Sequence, residues 1–158
     1  MPDMLVKLYD LPEHENAREY ERRTGVAVRR AIAPEKHVIT EWVRNHFNAA
    51  WASECEAGMA RCPVTCLVAV EDGKLLGFSC YDATMRGFFG PTGVAEGERG
   101  RGVGKMLFLH AMELMRLDGY GYAIIGAAGP TAFYEGVAGA TVIEGSVPGI
   151  YRGMLRQQ

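Results

Sequence analysis

The chain has 158 residues, of which 48% are hydrophobic and 23% are charged, so it suits one folded domain and is too apolar for a disordered chain. Its formal net charge of −2 gives no general attraction to phosphate backbones or anionic lipids. The N-terminus has no apolar run typical of a signal peptide, and no stretch approaches about 18 consecutive apolar residues. We therefore expect a cytoplasmic protein that binds neither nucleic acid nor membrane.

Four cysteines are spaced without any Cys-x-x-Cys pair, at Cys55, Cys62, Cys66 and Cys80. The four histidines are scattered singly, so no set of ligands has the spacing of a metal site. A reducing compartment keeps such cysteines as thiols. We predict buried free cysteines and no bound metal.

The first 25 residues combine a short apolar run with a highly charged stretch over 13–23. We predict that residues 1–25 are an N-terminal extension and that residues 26–158 form the domain. Alternating residues predict a first strand from Val26 to Ala33, and Pro34 then begins a helical pattern that continues to about Arg61. One bent helix or two short helices fit this pattern.

Three strands are predicted next, over 64–70, 75–83 and 88–95, with Asp72-Gly73 as a hairpin turn between the first two. Apolar positions at helical spacing predict a helix from Val103 to Asp118, and the apolar run in 120–126 predicts a central strand. A short helix over 129–137 and a last pair of strands, over 140–144 and 147–154, complete the chain. The expected fold is mixed α/β, with a mostly antiparallel sheet flanked by helices.

A loop rich in glycine and arginine, Arg99–Lys105, separates the strand over 88–95 from the long helix. Glycines before a helix let backbone N–H groups converge on an anion. A P-loop is excluded, because Arg99 and Met106 stand where its first glycine and its hydroxyl residue belong. A dinucleotide-binding fingerprint is also excluded, because Lys105 or Leu107 stands where its last small residue belongs.

The spacing Arg/Gln-x-x-Gly-x-Gly/Ala is satisfied by Arg99, Gly102 and Gly104. With Gly93-Val94-Ala95 before the loop and Ala132-Phe-Tyr-Glu135 after it, the sequence resembles the GNAT superfamily of acetyltransferases. The order of predicted elements from Val26 to Leu155 matches that family as well. The resemblance implies acetyl-CoA as co-substrate, bound in a cleft where the family's fourth and fifth strands splay apart.

The resemblance also implies the roles of individual residues. The backbone of Val94 and Ala95 would bind the pantetheine, and an N–H near Val94 would polarise the thioester carbonyl. Three cations, Arg99, Arg101 and Lys105, would offset the charge of the pyrophosphate. Its backbone N–H donors would come from Gly100, Arg101, Gly102, Val103, Gly104 and Lys105.

Amide formation requires a base for the amine and an acid for the leaving thiolate. Tyr134 matches the family's tyrosine and is the candidate acid, with aromatic packing as the alternative. The base stays open among Asp82, Glu54, Glu96 and a chain of water molecules. The acceptor would be a primary amine of a small molecule or peptide. Alternatives are a non-catalytic acyl-CoA sensor and an interaction module, and a homodimer is possible through the last strands.

Overall fold

A seven-stranded mixed sheet forms the centre of the protein in a computed structural model that describes all residues from 1 to 158. The strands are β1 (Met4–Lys7), β2 (Ala27–Arg30), β3 (Cys66–Glu71), β4 (Lys74–Tyr81), β5 (Phe88–Val94), β6 (Tyr122–Ile125) and β7 (Thr141–Val142). The helices are α1 (Ala17–Thr24), α2 (Lys36–His46), α3 (Ala49–Met59), α4 (Val103–Leu117) and α5 (Thr131–Ala138). Short 3-10 turns cover Leu8–Asp10, Ala33–Glu35, Glu96–Glu98 and Gly149–Tyr151. None of the helices combines the length and the apolar character needed to span a membrane.

The strands follow the order β2-β3-β4-β5-β6-β1-β7 across the sheet. Only β5 and β6 run parallel, and α4 connects them as a crossover. All other neighbouring strands are antiparallel, which confirms the predicted mixed, mostly antiparallel sheet.

Each face of the sheet has its own core. On one face α4 is buried almost all round, and Leu107, Phe108 and Met112 of this helix are fully enclosed. On the other face α2 and α3 pack on Phe78 and Cys80 of β4. Alternation along β4 explains the division, because Ser79, which lies between these two residues, points to α4 and donates a hydrogen bond to the Leu107 carbonyl at 3.2 Å.

The predicted helical stretch after Pro34 is two helices. Asn48 separates them, because its side chain accepts a hydrogen bond from the Trp51 N–H at 2.8 Å and so caps the start of α3. Phe47, the residue before this cap, lies between the two helices in a conformation that is neither helical nor extended. Its ring covers β5 at Gly93, where a Cβ atom would overlap that ring.

The N-terminal segment is part of the domain, which differs from the predicted extension. Strand β1 lies between β6 and β7, with Met4 and Val6 fully buried. Residues 8–24 then pass over α4 to reach β2 at the far edge of the sheet, and Tyr20 of α1 is buried in the same core. A strand of four residues carries no local signal of its partner, so its place in the sheet depends on long-range pairing.

The predicted pair of last strands is wrong in its second member. Only β7 forms, and it pairs with β1 rather than with a following strand. Gly145, Gly149 and Gly153 have φ angles of 73°, 60° and 74°, and these left-handed positions interrupt an extended backbone. The predicted homodimer rested on this strand pair and stays a prediction.

All four cysteines are free. Cys55, Cys66 and Cys80 are buried as predicted, whereas Cys62 is exposed in the turn between α3 and β3. The prediction of burial is therefore wrong for Cys62, because the chain around Pro63 lies on the surface.

Candidate active site

The glycine loop, Arg99–Lys105, presents a run of free backbone donors at the start of α4. Gly100 and Gly102 have φ angles of 84° and 76°, which only glycine adopts without strain. The N–H groups from Gly100 to Lys105 have no acceptor within the chain. Because the helix dipole adds positive potential at this end, the loop is suited to an anion such as a pyrophosphate.

Two of the three cations predicted beside the pyrophosphate are free, and one is not. Arg99 and Lys105 are exposed and make no ion pair. Arg101 instead donates to Glu71 at 2.8 Å and to Glu98 at 2.7 Å, and these hydrogen bonds raise its pKa. Its side chain therefore fastens the loop to β3, so its charge is already offset by carboxylates.

Tyr20 of α1 supports the loop from the segment that was predicted as an extension. Its hydroxyl donates to the Arg101 carbonyl at 2.9 Å, and its ring lies 3.7 Å from where a Cβ atom on Gly102 would be. Sequence reasoning missed this residue. The available signal was the capping box that begins α1, in which Asn16 and Glu19 each bond the other's backbone.

Strands β5 and β6 pair only over two residues and then separate. The pairs are Phe88 with Ile124 and Phe89 with Ile125, and a last hydrogen bond runs from the Gly126 N–H to the Phe89 carbonyl at 3.3 Å. Beyond this point β5 pairs with β4 alone. A cleft therefore opens between the strands, as the splay in the predicted fold class requires.

The register of β4 and β5 determines which backbone groups face this cleft. The Ala95 N–H donates to the Leu76 carbonyl at 2.9 Å, so it is not free for a ligand. Hydrogen-bonded and non-hydrogen-bonded pairs alternate in an antiparallel ladder, and the next pair is Gly77 with Val94. The N–H and C=O of Val94 accordingly point away from β4, toward the open cleft.

Tyr134 lies on α5 beside the point where the strands separate. Its ring packs against those of Phe108, Phe133 and Phe89, with centroids 5.0, 5.1 and 6.5 Å away. Burial raises its pKa to about 12, so the phenol keeps its proton at neutral pH. Its hydroxyl makes no hydrogen bond within the chain and is not fully enclosed, although only 5% of the residue is exposed.

The three candidate bases have different surroundings. Asp82 accepts hydrogen bonds from the Tyr120 hydroxyl at 2.9 Å and from the Gly87 N–H at 2.7 Å, so it holds the turn between β4 and β5. Glu96 is exposed on the 3-10 turn before the glycine loop. Glu54 on α3 is half-buried and accepts from the Thr84 hydroxyl, and burial raises its pKa.

Glu54 lies on α3, which packs on the face of the sheet opposite α4, and its side-chain partner Thr84 belongs to the turn between β4 and β5. Burial, and to a smaller extent the negative charges of Glu54 and Asp3, raise the pKa of Tyr151. The Tyr151 hydroxyl lies 3.4 Å from where a Cβ atom on Gly126 would be, beside the ring of Phe88. Gly126 follows the last pair of β5 and β6, so this group of side chains stands at the mouth of the cleft.

A cavity of about 310 Å³ continues from the glycine loop. It is lined by Gly102 and Lys105 at the start of α4, by Gly136 and Val137 of α5, and by Arg23 of α1. A larger groove of about 1390 Å³ lies between residues 8–21 and α4, but no residue of the glycine loop lines it. We therefore associate the smaller cavity with the site.

Residues 18–135 match the sequence profile of the acetyltransferase (GNAT) family. A comparison with curated proteins finds no match to the sequence. Among solved structures, the chain resembles a GCN5-related glucosamine N-acetyltransferase region of a fungal multi-domain GH3 β-N-acetylglucosaminidase, with 17% identity and a TM-score of 0.73 over 90% of this chain and 19% of that chain. It also resembles a GCN5-related N-acetyltransferase from Sphaerobacter thermophilus, with 20% identity and a TM-score of 0.69 over 90% of this chain and 48% of that chain.

The chain thus spans about half or less of the length of these two relatives, and at such identities the likeness shows the fold. The family profile covers the segment from α1 to α5, which contains the glycine loop, the cleft and Tyr134. Acetyl-CoA is the co-substrate of this family. The chain belongs to the GNAT family of acetyltransferases.

Proposed function

We propose that this protein is an N-acetyltransferase that moves the acetyl group of acetyl-CoA directly to a primary amine of a small molecule or peptide. The observation that carries the proposal is the cleft between β5 and β6, with free N–H donors of the glycine loop beyond one end and a protonated tyrosine at its vertex. Donor and acceptor would be bound together in a ternary complex.

The cofactor would bind from the glycine loop to the vertex of the cleft. The pyrophosphate would accept hydrogen bonds from the N–H groups between Gly100 and Lys105, and Arg99 and Lys105 would supply its counter-charge. The pantetheine would follow the unpaired edge of β5. The Val94 N–H, which points into the gap, would donate to the pantetheine, and an N–H near Val94 on the same strand would stabilise the oxyanion that forms on the thioester carbonyl oxygen.

Tyr134 would donate the proton that the leaving thiolate needs. A phenol with a pKa near 12 is fully protonated at neutral pH, and its hydroxyl makes no hydrogen bond within the chain that transfer of the proton would have to break. The surrounding rings hold it in one orientation. Bond formation between the amine nitrogen and the thioester carbon is followed by cleavage of the carbon–sulfur bond, and the phenolic proton goes to the sulfur.

Glu54 would remove the proton from the attacking amine. A base is most effective when its pKa approaches the working pH, and burial moves the pKa of Glu54 in that direction. Asp82 accepts hydrogen bonds that hold the turn between β4 and β5, and Glu96 is exposed. Neither carboxylate is therefore in a half-buried site like that of Glu54. Asp3 accepts a hydrogen bond from the Ala127 N–H, next to Gly126, so it places an acidic group at the mouth of the cleft, which favours the approach of a protonated amine.

The direct test is release of free CoA thiol from acetyl-CoA across a panel of primary amines, which includes diamines, amino sugars and peptides. We expect turnover with at least one amine and a rate that depends on Glu54 and Tyr134. Calorimetry with CoA is run in parallel. Binding of CoA without thiol release with any amine would support the acyl-CoA sensor instead, and absence of CoA binding would support an interaction module.

A further inference from the structure

Three buried thiols meet between α3 and the sheet, on the side of α3 away from solvent. Cys66 and Cys80 face each other across β3 and β4, and Cys55 reaches them from α3. All three sulfur atoms lie within 4.8 Å of one another, and the Cys80 and Cys55 Sγ atoms are 3.7 Å apart. The proposed acetyl transfer makes no use of this cluster.

The dimensions of the triangle suit a three-coordinate thiophilic ion. With bonds of about 2.3 Å to sulfur, such an ion holds its sulfur atoms about 3.5 Å apart when pyramidal and about 4.0 Å apart when planar. The observed separations require movements below about 1 Å. No histidine or carboxylate joins the three thiols, so a fourth ligand for zinc is not supplied by the cluster.

The charge of the surroundings discriminates among thiophilic ions. The cluster is enclosed by apolar side chains such as Ile39, Val43 and Phe78. The charges outside the cluster that its thiols sense belong to Glu54 and Glu35, which are acidic. Three thiolates with a monovalent or divalent ion would leave net negative charge in this place, which is costly, whereas a trivalent ion gives a neutral complex.

We infer that Cys55, Cys66 and Cys80 form a binding site for a trivalent thiophilic ion of the arsenite class. Arsenous acid, As(OH)₃, would exchange its three hydroxyl groups for three thiols. Three As–O bonds break, three As–S bonds form, and the thiol protons leave in three water molecules. Arsenic stays trivalent, so no oxidant or reductant takes part.

The bound ion would join α3 to both β3 and β4. Because Glu54 and Trp51 lie on α3, its position relative to the cleft would then respond to the ion. All three thiols are fully enclosed, so entry requires local opening of α3, and binding is expected to be slow. Refolding the chain in the presence of the ion removes this barrier.

The test uses sodium arsenite with the Cys62→Ser protein, so that every remaining thiol belongs to the cluster. Arsenite is added to the folded protein and, separately, during refolding from denaturant; bound arsenic and free thiols are then counted after gel filtration. We expect one arsenic per chain, loss of all three thiols, a higher Tm and a change in tryptophan fluorescence. Cys55→Ala, Cys66→Ala and Cys80→Ala should each weaken binding by at least about tenfold, since even loss of an outer partner costs that much.

Two results would overturn the site. The first is loss of fewer than three thiols for each arsenic bound, and the second is absence of binding after both procedures. The thiol count needs no cysteine-to-alanine variant, so it decides the matter even if those variants fail to fold. Because none of these readouts uses acetyl transfer, the result is independent of the proposed activity.

Discussion

The ring of Tyr134 meets that of Phe89 edge-on, with centroids 6.5 Å apart, at the point where β5 and β6 stop pairing. Phe89 is the last residue of β5 that pairs with β6, and its carbonyl accepts the final hydrogen bond, from Gly126. The packing therefore fixes the phenol at the vertex of the cleft. If acetyl transfer takes place there, substitution of each proposed site residue should change the rate of transfer or the affinity for CoA in its own way.

Replacement of Tyr134 with phenylalanine removes the proposed acid and keeps the packing. We expect kcat to fall by about 10² to 10⁴-fold while the KM for acetyl-CoA stays nearly constant, because in the proposed mechanism the phenol acts on the leaving thiolate and not on binding. Thiol release in the steady state gives both constants. Tyr9→Phe, an exposed tyrosine on the 3-10 turn after β1, is the matched control and should leave both unchanged. Equal rates in the two variants would contradict the acid role.

Replacement of Glu54 with glutamine removes the proposed base. In the native enzyme kcat/KM should rise with pH through a pKa above that of an ordinary carboxyl, since burial raises the pKa of Glu54 and only its ionised form accepts a proton. Glu54→Gln should lower the rate at neutral pH by about 10²-fold or more and abolish that rise. Glu56→Gln, on the exposed side of α3, is the control. A pH profile that is the same in both variants would exclude Glu54.

Glu54 should also affect how the free energy of unfolding depends on pH. A carboxyl whose pKa is higher in the folded than in the unfolded state binds protons on folding, so the free energy of unfolding falls as pH rises from the ordinary carboxyl pKa through the raised one. Glu54→Gln should remove this fall and unfold at the same or a higher denaturant concentration at neutral pH. Denaturant titrations at several pH values measure it. If Glu54→Gln instead lost stability at neutral pH, the Glu54 carboxylate would be stabilised by more than its hydrogen bond from Thr84.

Replacement of Gly102 with valine tests the glycine loop. A φ of 76° is strained for any residue with a Cβ atom, by about 1 to 2 kcal/mol, and more for a branched one. The loop would shift and lose its convergent N–H groups, so we expect weaker CoA binding by calorimetry. Gly97→Val is the matched control, because a Cβ atom at Gly97 meets no neighbour within 4 Å and its φ is not left-handed. Unchanged affinity in the Gly102 variant would remove the loop from the site.

Substitutions of Arg99 and Arg101, the two arginines of the loop, should have different effects. Arg99→Gln should weaken CoA binding and reduce its dependence on salt, because we propose that the exposed guanidinium supplies counter-charge to phosphate. Arg101→Gln should instead lower Tm, because it breaks the ion pairs with Glu71 and Glu98 that fasten the loop. Calorimetry at two salt concentrations and thermal unfolding distinguish the two roles. If Arg101→Gln weakened CoA binding and Arg99→Gln lowered Tm, the Arg101 side chain would have to turn toward the ligand.

Strand β1 should contribute to the stability of the whole domain. Met4 is fully buried, so Met4→Ala should cost about 2 to 5 kcal/mol in the free energy of unfolding, measured by denaturant titration. Lys7→Ala, at an exposed position of the same strand, should cost much less. If the Met4 variant were as stable as the native chain, residues 1–25 would behave as the separable extension that the sequence suggested.

Most of the elements around the site were predictable from local patterns. The helix over 103–117 and the strands before and after it appear within one or two residues of the predicted bounds, because their apolar spacing is long and regular. Glycines between a strand and a helix predicted an anion site, and the spacing of Arg99, Gly102 and Gly104 resembled that of the GNAT family. What the pattern could not show was that Arg101 is already paired with carboxylates from β3 and the 3-10 turn.

By itself, the sequence determined the order of elements from β2 to α5, the glycine loop and the tyrosine on α5, since each depends on residues close together in the chain. The tertiary structure alone decided three matters that depend on contacts between distant residues. It placed β1 inside the sheet, it distinguished Glu54 from Asp82 and Glu96 by burial, and it brought three cysteines together. Burial and long-range pairing arise only when the chain is folded, so no local pattern could carry them.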